Sequence, residues 1–196
     1  MALTYAERCD AVEAEVARFL AVVTDADPAT PVPTCPGWNL ADLARHHGTT
    51  HRWITHLIRV RATDRVWSRD VPLDLPDDVR VMPEWLADSA RTSLKVLRAT
   101  DPDTPVWTHG ADRHVRFFAR RLLAEAAVHR ADAEIALDRR PVIGSVVAED
   151  LIAELYEHVP DFEWAAAIIR TFQESGTPLS ENATPGDRLL ILYGRT

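Results

Sequence analysis

The sequence has few cysteines, no long apolar run and no block of basic residues. Its two cysteines, Cys9 and Cys35, are too few for a disulfide framework. No apolar run reaches the roughly 18 residues that a membrane-spanning helix requires, and the N-terminus lacks the apolar centre of a signal peptide. We therefore expect a cytoplasmic, reduced protein with no membrane partner.

The charge balance is acidic, with 22 Lys and Arg against 30 Asp and Glu and a formal net charge of −8. Such a chain lacks the excess of basic residues that neutralises phosphates, so we expect no nucleic-acid partner. Its densest basic group is Arg116, Arg120, Arg121 and Arg130, which we interpret as a solvated helix flank.

Helical periodicity dominates the chain, and strand-like alternation is scarce. The pattern predicts helices over 4–24, 40–62, 83–99, 114–138, 145–158 and 161–174. Asn39 is predicted to cap the second helix, and Pro83 to occupy the first turn of the third. The segment 64–82 is predicted to be a long loop.

The expected fold is all-α. Four long helices predict a four-helix bundle over 1–160, followed by a C-terminal extension over 161–196 with further helical segments. Residues 189–193 are predicted to form a short strand-like tail. Its free edge would need a partner strand, either within the chain or in a homodimer.

Two of the predicted helices carry side chains that metal ions prefer. Glu125 and His129 are four residues apart, so they lie on one face of the fourth helix. On the second helix His47 and His51 are also four apart, whereas His46 and His51 are separated by about 140° around the axis. Two histidines and a glutamate suit Zn²⁺, with Ni²⁺ or Fe²⁺ as alternatives. The spacing leaves open whether His46 or His47 is the ligand.

Two separated blocks of sequence have a more specific pattern. The first is VPTCPGWNLADLARH over 32–46, continued by His51-Arg52-Trp53. The second comprises Val106-Trp107-Thr108, Asp112-Arg113 and then FARRLLAEAAVHRADAE over 118–134. Together they resemble the mycothiol-dependent maleylpyruvate isomerase family, which is related to the DinB/YfiT-like metal-binding four-helix bundles. The resemblance covers about residues 5–160.

The resemblance implies a ligand set and a chemistry. The family's ligands correspond here to His46, Glu125 and His129, which implies a divalent metal, zinc above all, with an open position. It also implies mycothiol as a thiol cosubstrate, whose metal-activated thiolate adds to an unsaturated or electrophilic substrate in an isomerase or S-transferase reaction. His51 is our candidate general acid, with a structural or pocket-lining role as the alternative.

Other side chains near these motifs have structural interpretations as well. Asp42 and Asp132 each have two interpretations. The carboxylate either orients a nearby histidine, or it caps and stabilises the helix. Trp38 and Trp53 are expected in the core. Cys35, in a proline-rich loop, is the more reactive of the two thiols.

The chain is shorter than full-length members of the family it resembles, and this affects the function that we expect. Full-length relatives have a further C-terminal α/β domain that supplies part of the active-site wall. We interpret 161–196 as an extension, or a truncated remnant of that domain, and expect the residues that grip the thiol or a diacid from that side to be missing. The alternative function is therefore a non-catalytic metal-binding bundle with a stress-response or binding role. A third interpretation is a metal-free dimerisation module.

Overall fold

In a computed structural model, the described residues are 3–158, 162–178, 180 and 182–195. This part of the chain contains seven α-helices and no β-strand. The helices are α1 (Tyr5–Val23), α2 (Leu40–Val60), α3 (Met82–Ala99), α4 (Arg116–Ala136), α5 (Ser145–His158), α6 (Glu163–Ser175) and α7 (Pro185–Leu192). The predicted all-α class is confirmed.

The first four helices form the bundle. Helix α1 packs against α3 and α4, and α2 packs against the same two helices, so α1 and α2 occupy opposite corners. Large aliphatic and aromatic side chains fill the interior because their burial removes apolar area from water. Fully buried examples are Phe19, Leu43, Leu57, Leu86 and Leu122.

Local hydrogen bonds determine where α2 begins. The Asn39 side chain accepts a hydrogen bond from the backbone N–H of Asp42 at 2.9 Å, and the Asp42 carboxylate accepts one from the Asn39 N–H at 3.1 Å. This reciprocal pair is a capping box, and it satisfies two N–H groups that the helix leaves free. Asp42 therefore caps the helix, while its other oxygen pairs with Arg45.

The predicted strand over 189–193 is wrong, because that segment belongs to α7 and the turn after it. Thr184 and Asp187 form a capping box at its start, and Pro185 lies in its first turn. A short apolar run is compatible with a buried strand or a buried helix, and here the cap decides between them. The argument for a homodimer from a free strand edge therefore no longer applies.

The C-terminal helices pack onto the bundle. Helix α5 contacts α4 and α7, and α6 contacts α5 and α7. Leu189 and Leu190 of α7 belong to the same apolar cluster as Phe118 and Leu122 of α4. The predicted boundary between 160 and 161 lies outside the described residues.

The interpretation of the arginine group as a solvated flank is wrong for three of its members. Arg130 is nearly fully buried, with Nε 2.5 Å from a carboxylate oxygen of Glu15 on α1. Arg120 and Arg121 are also mostly buried and pair with acidic side chains of α5. The sequence could not place these partners, because they lie on other helices. Within the described residues, no helix has the length and apolar character needed to cross a bilayer.

Gly48 of α2 lies close to the Trp85 ring of α3, and this contact leads to a prediction about stability. A Cβ atom added there would lie 2.1 Å from Cζ3 of Trp85, and that ring is fixed by a 3.0 Å hydrogen bond from its Nε1 to the Leu73 carbonyl. Alanine normally stabilises a helix interior by about 1 kcal/mol relative to glycine. We predict instead that Gly48→Ala lowers the free energy of unfolding by about 1–3 kcal/mol through overpacking.

Urea unfolding followed by circular dichroism checks this prediction. The control is Gly144→Ala, since a Cβ there meets nothing within 4 Å, and it should change the free energy of unfolding by less than about 1 kcal/mol. A Gly48→Ala protein as stable as the wild type would contradict the predicted clash.

Candidate metal centre

Helices α2 and α4 bring the three predicted ligands together. His46 Nε2 lies 3.1 Å from Glu125 Oε2, and His129 Nε2 lies 3.3 Å from the same oxygen. The two imidazole rings are 4.9 Å apart between centroids. The ligand atoms of all three side chains lie within 4.8 Å of one another.

These distances fit the dimensions of a small divalent ion. Bonds of about 2.1 Å in a tetrahedral site place neighbouring ligand atoms about 3.4 Å apart, close to the 3.1 Å and 3.3 Å found here. Two imidazole nitrogens and one carboxylate oxygen are also a donor set that zinc accepts. The three residues therefore fit a metal ion with a position left for another ligand.

A buried carboxylate lies behind His129. Asp132 is fully buried, and its Oδ2 is 2.9 Å from His129 Nδ1, the ring nitrogen on the side away from Glu125. A carboxylate in this position fixes the orientation and tautomer of a metal-binding imidazole. Of the two interpretations of Asp132, the structure thus favours the orienting one.

Three further donors surround the Asp132 carboxylate. Thr34 Oγ1 donates to it at 2.6 Å, the Cys35 thiol lies 3.6 Å away, and Arg195 Nε donates at 2.8 Å. The loop before α2 holds Thr34 and Cys35 in place, and it turns at Gly37, whose φ of 84° lies in the left-handed region that glycine tolerates. Residues from three distant parts of the chain therefore meet at one carboxylate.

The charges of the site are strongly coupled. Burial alone would raise the pKa of Glu125, but His129, His46 and the nearby Arg121 hold it well below its usual range. Burial alone would lower the pKa of His129, but Asp132, Cys35 and Glu125 raise it well above its usual range. An ion binding here would displace a proton from His129, so its affinity would fall with falling pH.

The three ligand side chains open onto a cavity of about 520 Å³. Its wall includes residues of α2, the loop after it, the segment before α4, α4 itself, α6 and the segment after α7. Besides the three ligands these include Thr49, Thr50, Trp53, Ile54, Val66, Trp67, Ser68, His109, Arg121, Ala124, Val128, Ile168, Tyr193 and Arg195.

The C-terminal extension contributes residues to this cavity. Ile168, Tyr193 and Arg195 belong to the C-terminal extension and line the cavity. Arg195 reaches it because α7 packs against α5 and leads the chain back to Asp132. The extension of this chain supplies a wall of its own.

A known protein family matches most of the chain. The model described as the mycothiol maleylpyruvate isomerase N-terminal domain matches residues 9–134. The chain belongs to this family. No curated protein and no solved structure matches it. The matched range contains α2, most of α4 and all three predicted ligand residues, whereas the C-terminal residues that line the cavity lie beyond it.

Within this isomerase-family bundle, the positions of the two side chains favour His46 over His47 as the candidate ligand. His47 is fully buried, 5.3 Å from the Phe19 ring and 5.0 Å from the His51 ring. In the described part of the chain, neither His47 nor His51 belongs to a group of three side chains that could hold a metal ion. His46, one position earlier, faces Glu125 and His129.

His51, the candidate general acid, lies in the core. It is fully buried, its Nδ1 is 2.6 Å from Ser93 Oγ, and it is not among the residues that line the cavity. Burial lowers its pKa to about 3. This placement favours the structural alternative for His51.

Several residues of the cavity wall were not predicted from the sequence. Val66 and Trp67 lie in the predicted loop, and His109 precedes α4. His109 packs edge-on against Phe117 with ring centroids 4.8 Å apart, and burial lowers its pKa to about 4. Trp53 both lines the cavity and packs in the core, and Trp38 lies against His46, 5.1 Å between centroids. Trp38 and Trp53 belong to the first motif block, whereas Val66, Trp67 and His109 are not among the motif residues.

The buried His51 generates a prediction of pH dependence. Its pKa is about 3 in the folded chain against 6.5 for a free histidine, so the unfolded chain binds more protons below pH 6.5 and stability falls as the pH drops toward 3. Between pH 7 and pH 5 we expect His51 to account for about 2 kcal/mol of lost stability.

Urea unfolding at the two pH values measures this loss. His51→Asn removes the titrating ring, so the decrease in unfolding free energy from pH 7 to pH 5 should be about 2 kcal/mol smaller than in the wild type. An equal decrease in both proteins would show that His51 does not titrate in this way.

Proposed function

We propose that the chain is a divalent-metal-dependent, thiol-dependent enzyme of the maleylpyruvate isomerase family. In this proposal it uses mycothiol, and the thiolate adds to an unsaturated or electrophilic small molecule. If the thiol leaves again, the result is isomerisation; if it stays attached, the result is S-transfer. The observation that carries the proposal is the convergence of His46, Glu125 and His129 on the cavity, with Asp132 behind His129.

The proposed ion is Zn²⁺, with Ni²⁺ or Fe²⁺ as alternatives, because two imidazoles and a carboxylate suit all three. When bound, a divalent ion lowers the pKa of a coordinated thiol, so that the thiolate is available as a nucleophile at neutral pH. Three protein ligands leave one position for that thiol. We further propose a reducing, cytoplasmic setting, in which Cys9 and Cys35 remain thiols as they are in the structure.

The side chains of this protein would prepare the site for such a ligand. Asp132 holds His129 so that Nε2 faces Glu125. Arg121, 3.4 Å from the other Glu125 oxygen, keeps that carboxylate ionised and oriented. We assign no proton transfer to His51, since it does not line the cavity.

Metal content tests the ligand set. The wild type should bind about one divalent ion per chain, and His46→Ala or His129→Ala should lower the affinity at least 100-fold, because each removes one of three ligands. Equilibrium dialysis with zinc, followed by elemental analysis, measures this. His56→Ala is the matched control, since His56 is on the same helix but outside the cavity wall.

Unchanged affinity in both ligand variants would exclude this metal site. Equal losses in His56→Ala and in the ligand variants would also count against it, because the effect would then come from α2 as a whole.

Turnover distinguishes the enzyme from the non-catalytic bundle. We expect the zinc-loaded protein to accelerate the reaction of mycothiol with a halogenated nitrobenzene, with maleylpyruvate tested beside it as a charged electrophile, and the chelated protein or His129→Ala to lose at least 90% of the rate. Product formation followed by absorbance and liquid chromatography measures it. Metal binding without any such acceleration would support the non-catalytic alternative.

A further inference from the structure

Apart from the ligands, the cavity wall is largely aromatic and aliphatic. Trp53, Ile54 and Val66 contribute to it, together with Val128 of α4 and Ile168 of α6. Trp53 Nε1 donates to the Val66 carbonyl at 2.9 Å, so the polar atom of this indole is used within the wall. Trp53 therefore presents an apolar ring to the cavity.

The packing around Trp53 makes this surface rigid. Its ring meets those of Trp107 and Phe118 edge-on, each at 6.2 Å between centroids. Trp67 adds a second indole to the wall, 45% exposed. A volume of about 520 Å³ lies within the usual range for small-molecule sites and accommodates a ring-sized group beside the metal ligands.

The cationic side chains in this wall are already neutralised. In the described part of the chain these are Arg121 and Arg195. Arg121 pairs with Glu125 at 3.4 Å and with Glu154 at 3.1 Å, and Arg195 makes two hydrogen bonds to Asp132. Arg65 and Arg69 lie against the Trp67 ring but do not line the cavity.

The charge balance is complete without a charged substrate. The carboxylates of Glu125, Glu154 and Asp132 face the two guanidinium groups, so one divalent ion and one thiolate bring the total to zero. His109 adds no charge at neutral pH, because burial lowers its pKa to about 4. A carboxylate on the second substrate would then be desolvated without a cation to pair with it, which is costly.

We propose that the electrophilic substrate of this site is an uncharged molecule with an aromatic or aliphatic body, rather than a dicarboxylate. This inference rests on the proposed function for the identity of the nucleophile. It also takes from the proposed function the metal ion and the thiolate that complete the charge balance, whereas the apolar character of the second ligand is argued from the cavity wall.

The test uses N-phenyl-1-naphthylamine, an uncharged probe whose fluorescence rises in apolar sites. The full chain is measured with zinc and 2-mercaptoethanol present, so that the ion and its thiol position are supplied. Dimethyl phthalate and phthalate then compete for the probe, since they share one ring and differ in charge. We expect the ester to displace the probe at a concentration at least tenfold lower than phthalate.

Two valine-to-arginine variants test whether probe binding and the preference for the uncharged ester arise in the cavity. Val66→Arg adds a guanidinium without a partner carboxylate, so we expect weaker probe binding and phthalate at least tenfold more effective than in the wild type. Val146→Arg lies on α5, exposed and outside the cavity wall, and should change neither value. Trp67→Ala, at a partly exposed position, should weaken probe binding at least threefold and serves as the second variant if Val66→Arg does not fold.

Failure of the probe to bind would overturn the inference, as would phthalate competing as well as its ester. The same holds if Val146→Arg matches the effect of Val66→Arg. Failure of the proposed function is read separately, from metal content and from thiol turnover. Probe binding and ester preference do not require turnover.

Discussion

The buried carboxylate of Asp132 is the constraint on which the candidate site depends. A charge with no exposure is tolerated only when hydrogen-bond donors surround it, and here they come from the loop before α2, from α4 and from the segment after α7. Satisfying this one group draws Thr34, His129 and Arg195 together. It therefore orients the imidazole toward Glu125 and brings Arg195 into the cavity wall at the same time.

Helix α4 carries further buried charges, and each of them is paired with a charged side chain on another helix. Arg121 and Arg130 are buried, and their partner carboxylates lie on α5, where Arg121 meets Glu154, and on α1, where Arg130 meets Glu15. Removing one member of such a pair leaves an uncompensated charge and costs about 3–5 kcal/mol. The ion pairs thus tie α5 to the bundle, and α5 in turn supports α7. The C-terminal extension can therefore form part of the site, although the family match covers this chain only as far as residue 134.

The sequence could predict the ligands in part. A four-residue spacing places Glu125 and His129 on one face wherever the helix lies, but it could not separate His46 from His47. One residue turns a helix by about 100°, and the position of α2 between α3 and α4 decides which histidine faces α4 and which enters the core beside Phe19. Only the resemblance to family motifs pointed to His46 before the structure did.

The sequence by itself determined six of the seven helices of the described chain and the cap at Asn39, because these depend on local backbone preferences. The spacing within one helix likewise placed Glu125 and His129 on the same face. It also held an unused signal for α7, since Thr184 and Asp187 form a capping box before the apolar run. Only the tertiary structure decided the partner of Arg130, which lies 115 residues away in the chain, the burial of His51 and the place of Arg195 beside Asp132. These depend on packing between distant helices, which no local pattern records.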